Sequence, residues 1–123
     1  MAFLNDRVFD FGLSVLDTEA NAIYVTSVEA ADYTEATSTY ALGNSTSLVI
    51  DSPTDRVGGG RKVTVQPISD GSITGTGTVT HYALVDTVNS RLLATAALTA
   101  VQSVTNGNTF TLASFDIGIP DPS

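Results

Sequence analysis

The chain has no cysteine and no tryptophan, one methionine and a single histidine. Without cysteine there is no disulfide and no thiolate metal site, and cysteine usage says nothing about redox compartment. One histidine, His81, has no second imidazole for a metal pair and no cysteine nucleophile to serve, so a structural, hydrogen-bonding role is its expected use. Lysine and arginine are scarce, 5 against 13 aspartates and glutamates, which leaves a net charge of −8. Only Arg61 and Lys62 are adjacent cations. Binding to phosphate backbones or anionic membranes needs clustered cations, so neither nucleic acid nor membrane is an expected partner. No apolar run approaches a membrane span. The start, Met1 to Arg7, lacks a basic region followed by a long apolar stretch, and no signal peptide is expected.

Catalytic patterns are missing as well. Gly58-Gly59-Gly60-Arg61-Lys62 invites a phosphate-loop reading, but Val63 stands where that pattern needs Ser or Thr, and a strand follows rather than a helix. A flexible hairpin tip is the expected use. Asp51, Asp55 and Asp70 do not fit an EF-hand spacing. No pair of carboxylates stands out for a glycosidase. The expectation is a protein that is not an enzyme and carries no cofactor or metal.

What the chain does contain is threonine, serine and β-branched apolar residues. At 123 residues it is read as one domain, 1–123, with residues 1–20 as an N-terminal helical arm. The stretch Gly77 to Leu98 organises it: Thr78 to Val85 suits a pleated, half-buried surface, Asp86 to Arg91 supplies turn formers, and a second apolar run follows. Either Val79, Ala83 and Val85, or Tyr82 and Leu84, should face inward with Phe115 and Ile117. Further strands are expected at Ala22 to Val28, Thr46 to Asp51, Arg61 to Ile68 and Phe110 to Ile119, with an edge segment at Ser72 to Thr76. Turns are expected at Gly43-Asn44-Ser45, Asp70-Gly71 and Asn106-Gly107. The apolar parity shifts between Phe110, Leu112 and Phe115, Ile117, which predicts a β-bulge near Ala113-Ser114.

Asn5 to Asp17 is the one helical candidate, with Leu4, Val8, Phe11 and Val15 at helical spacing, Asn5 as cap and Leu4 against Phe9 as a staple. It is expected to pack on the core; the other reading is an arm that docks on a partner. Glu29 to Leu42 has no clean period and reads as a structured surface loop with one helical turn. Its Tyr33 and Tyr40 either form a contact surface or cover a sheet edge. The fold class expected is all-β: an antiparallel sandwich or partly open barrel of about seven strands with one short N-terminal helix.

Several stretches together resemble a known group. They are Ile23-Tyr24-Val25 after the helix, Tyr33-Thr34-Glu35-Ala36-Thr37 with Leu42-Gly43, Gly60 to Val65, His81 to Asp86 with Ser90 to Leu93, and Phe115 to Pro120. The chain resembles the small acidic virion structural proteins of tailed bacteriophages, of the capsid cement or decoration type. The resemblance implies a non-enzymatic protein on the outer face of the capsid, bound to the major capsid protein and clustered as a homo-oligomer, a trimer or a dimer. It carries over no catalytic residues. Contact residues are expected in the loop and the arm: Tyr33, Glu35 and Tyr40, with Phe3, Leu4, Val8 and Phe11. The rival readings are a phage tail or connector protein and a carbohydrate-binding β-sandwich at a host surface; the lack of tryptophan platforms counts against the latter.

Overall fold

The computed structural model describes residues 3–4 and 12–119. Among the described residues, ten strands and one α-helix follow in the order β1 (Phe3–Leu4), α1 (Ser14–Glu19), β2 (Ala22–Thr26), β3 (Ala41–Ser45), β4 (Thr54–Asp55), β5 (Arg61–Val65), β6 (Ile68–Ile73), β7 (Gly77–Asp86), β8 (Arg91–Val104), β9 (Thr109–Leu112) and β10 (Phe115–Ile119). A π-helical turn, Glu35–Thr39, lies between β2 and β3. The large sheet runs β1-β8-β7-β2-β3-β6-β9, and a small sheet runs β10-β5-β4. Every named pairing is antiparallel. The all-β class, the sandwich character and the short helix near the N-terminus are as the sequence led one to expect.

The core lies between the two sheets. Ile23 and Val25 from β2, Tyr82 and Leu84 from β7 and Leu93 from β8 meet Val63 and Val65 of β5 and Ile117 of β10, with Leu13, Val15 and Leu16 closing one end. Burying each such aliphatic side chain is worth about 2 kcal/mol. The other face of the large sheet is also covered. Ala22, Ala83, Val85 and Leu92 form a second cluster with Ala30 and Ala36 from the 27–40 segment. Both candidate facings of β7 are therefore buried, on opposite faces. Val79 sides with Tyr82 and Leu84 because the register shifts between Val79 and His81.

Several local expectations are corrected. Within the described part of the expected helix, Asn5 to Asp17, the helical residues are Ser14–Glu19, so the helix runs two residues past Asp17 and is not continuous through Gly12. Gly12 has φ +83°, a left-handed backbone that cannot sit inside a right-handed helix. Leu4 lies in strand β1, where Phe3 pairs with Thr95 and Leu4 with Ala94; its expected staple partner Phe9 lies outside the described residues. The remainder of the expected helix, with Val8 and Phe11, lies outside the described residues. Thr46 to Asp51 is not a strand: only Ile50 bridges to Val65, and Val49 is 56% exposed. Arg61 to Ile68 splits at Gln66-Pro67 into β5 and β6. Asp70-Gly71 lies inside β6 rather than in a turn, because Gly71 stands opposite Phe110 and the phenyl ring occupies the space a Cβ would need. Gly43-Asn44-Ser45 is not a turn but the end of β3, paired with β2 and β6, and Ser72 and Ile73 are interior to the sheet, flanked by β3 and β9. The parity change at Ala113-Ser114 is not a bulge but the point where the chain leaves the large sheet for the small one. The turn at Asn106-Gly107 exists, with Gly107 at φ +92°, yet β8 and β9 each pair elsewhere.

Candidate interaction surface

The 27–40 segment is a lid fixed at both ends. Ser27 N–H donates to the Tyr40 carbonyl at 3.1 Å, and Thr80 Oγ1 donates to the Ser27 carbonyl at 2.8 Å. Within the lid, Glu35 N–H donates to Asp32 Oδ1 and Ala31 N–H donates to Glu35 Oε1, both at 2.8 Å. This reciprocal pairing is a variant of the capping box, and it satisfies donors that a helix start leaves open. Tyr40 N–H reaches back to the Glu35 carbonyl at 2.9 Å, five residues earlier, which defines the π turn. Ala36 and Ala30 seal the lid onto the sheet, and Tyr33 and Tyr24 pack against that cluster. Burial first, and the nearby Tyr33 second, push the Tyr24 hydroxyl above its ordinary pKa.

This geometry redistributes the expected contact residues. Tyr33 and Tyr40 are half-buried, and Tyr33 packs on a sheet face rather than an edge. Glu35 is committed to the lid's own backbone. The exposed residues of the lid are Ala31, Asp32, Thr34, Ser38 and Thr39. Phe3 pairs with Thr95, whose Oγ1 lies 3.4 Å from Glu29 Oε1, so β1 meets the base of the lid across one residue. Val8 and Phe11 lie outside the described residues.

Asp86, Asp70 and Asp116 are also tied into the fold. Asp86 is 2% exposed, at the end of β7. Its Oδ1 accepts from the Val88 and Asn89 amides at 3.0 and 3.3 Å, and its Oδ2 accepts from Asn89 Nδ2 at 2.8 Å. Desolvation pushes its pKa up, but the Asn89 and Val88 hydrogen bonds and the Arg91 charge outweigh it, and the carboxyl is held below its usual range. Asp70 accepts from Ser47 Oγ at 2.7 Å and Ser45 Oγ at 3.2 Å. Asp116 accepts from Thr64 Oγ1 at 2.7 Å and Lys62 Nζ at 3.0 Å. His81 Nδ1 lies 2.7 Å from Thr80 Oγ1, in the hydrogen-bonding role expected of it. Among the described residues no three of His, Cys, Asp and Glu gather as a metal site, and no helix is long and apolar enough to cross a membrane.

The Gly58-Gly59-Gly60 tip joins β4 to β5, as expected of a hairpin. All three glycines have positive φ. Val57 at this tip is 93% exposed, and Arg61 pairs with Asp55 at 2.6 Å on the surface. Such an exposed pair contributes under about 1 kcal/mol.

One concave feature escaped the sequence reading. A groove of about 410 Å³ lies at the seam between the sheets, lined by Tyr82, Leu98, Gln102, Leu112 and Phe115 among others. Its floor is the Tyr82–Phe115 pair, with ring centroids 4.4 Å apart. Pairing runs Val79 with Gln102 and then His81 with Ala97, so Leu98 to Val101 stand against Thr80 alone. That large bulge swings β8 away from β7 and opens the groove. The signal available in sequence was the stretch Leu92 to Phe115, which contains no charged residue.

Comparison with known protein families, with curated proteins and with solved structures finds no match to the chain.

Proposed function

We propose that the chain is a non-enzymatic capsid cement protein of a tailed bacteriophage, bound to the outer face of the shell through the major capsid protein. The observation that carries this reading is the lid. Its internal hydrogen bonds fix an outward face of Asp32, Thr34, Ser38 and Thr39 before any partner arrives. A preordered surface loses little conformational entropy on docking, and many modest contacts over a lattice then add up. The carboxylates support the same reading, since Asp70, Asp86 and Asp116 hold strands and turns together and only Asp116 of the three lines the groove. The resemblance of the sequence to decoration proteins supplies the partner class.

A ligand that binds only the assembled shell stabilises it by a few kcal/mol per site at high occupancy. Particles with and without the protein are to be heated in parallel. A higher temperature of DNA release in the occupied particles is expected; equal release temperatures at confirmed full occupancy would reject the cement reading and bring forward the tail or connector one.

A further inference from the structure

Tyr82 is 8% exposed and lines the groove, yet its hydroxyl makes no hydrogen bond to any described residue. Among the described residues no fully enclosed polar side-chain atom lacks a partner, so the hydroxyl must reach the groove space. A hydroxyl that opens into the groove with no partner in the fold is free to donate to an acceptor from outside. Burial alone pushes this phenol up to about 12, with no neighbouring group to offset it. The same seam carries an open strand edge. β1 pairs with β8 only at Thr95 and Ala94, and no described strand pairs with the outer side of β8 from Ala97 to Val104. Val101 on this segment is 62% exposed. Open edges are ordinarily guarded by charge or proline, and Ala97 to Val104 has neither.

We propose that the groove and the open edge of β8 form a two-fold homodimer interface, in which the Ala97 to Val104 segment of a second copy lies along the edge, places an apolar side chain over the Tyr82–Phe115 floor and offers a carbonyl to the Tyr82 hydroxyl. The occupant follows from charge. Each copy carries −8, so two copies repel wherever carboxylates face each other. The stretch Leu92 to Phe115 is free of charge, and the one carboxylate at the groove, Asp116, is neutralised by Lys62 at 3.0 Å. A two-fold axis brings the same patch of both copies together, so a single uncharged patch serves both sides of the contact. This inference does not depend on the shell, and the isolated protein tests it.

Sedimentation velocity over a wide concentration range, with hydrogen exchange at low and high concentration, is the measurement. The wild type is expected to dimerise, with the Ala97 to Val104 amides protected only at high concentration. Ala100→Glu, an exposed position on the groove wall, is expected to give a monomer with an unchanged unfolding temperature. Tyr82→Phe keeps the packing and removes the hydroxyl, and should weaken the dimer about tenfold, the size of one hydrogen bond. A wild type that stays monomeric at the highest concentration overturns the proposal. So does a dimer indifferent to Ala100→Glu, or native mass spectrometry showing a monomer with a small molecule retained and lost in Tyr82→Phe.

Discussion

Asp86 shows how one carboxylate holds the central hairpin. It closes the turn between β7 and β8 by accepting the Val88 and Asn89 amides and the Asn89 side chain. Asp86→Ala strands those donors in a nearly buried site, and a loss of about 1–3 kcal/mol in denaturant unfolding is expected. The pH dependence has a fixed sign. A folded pKa held below the unfolded value of about 3.9 stabilises the protein above that value, and the contribution disappears as pH falls through the lower folded value. Unfolding curves for wild type and Asp86→Ala should therefore converge in strong acid and separate as pH rises. Gly71 acts through absence. A Cβ there would meet the Phe110 ring, so Gly71→Ala should cost about 1–3 kcal/mol by overpacking, measured by thermal unfolding. An unchanged melting temperature would show that Phe110 moves freely.

At the scale of elements, β7 is the strand with two interiors. Leu84 points into the core between the sheets and Val85 points under the lid. Alternation along a strand normally separates core from solvent, but a lid on the second face makes every residue from Tyr82 to Asp86 buried. Val85→Asp places an unpaired charge under the lid and should cost several kcal/mol, enough to abolish soluble expression. A folded variant with only the lid amides exposed to exchange would show instead that the lid opens as a separate unit. The lid itself was legible as a loop with one helical turn. Its seat was not, because Ala30 and Ala36 give no local signal for what they pack on.

For the whole molecule, charge sets how it meets partners. If the net −8 chain docks on a complementary shell as proposed, it should release as salt rises, because screening shortens the reach of exposed charges to about 10 Å at 0.1 M. Binding to purified shells measured across a salt series checks this, and retention that is flat with salt would point to an apolar contact instead. Dimerisation through the uncharged seam should respond in the opposite sense, since salt screens the repulsion between like-charged copies. The two contacts are thus separable in one salt series.

The sequence by itself determined the class of the molecule, because strand propensity, alternation and turn chemistry are local. β2, the β7–β8 hairpin and the glycine tip before β5 follow from neighbours a few residues apart. The acidic, charge-poor composition and the lone histidine were equally plain. Tertiary structure alone decided where the chain changes sheets, at Ala113-Ser114, and why Asp70-Gly71 continues a strand. Parity cannot distinguish a bulge from a crossing, and a glycine signals a turn as readily as it makes room for Phe110. The groove belongs to the same category. Tyr82 and Phe115 are far apart in sequence, and only the bulge in β8 and the seam between two sheets bring their rings together over an open edge.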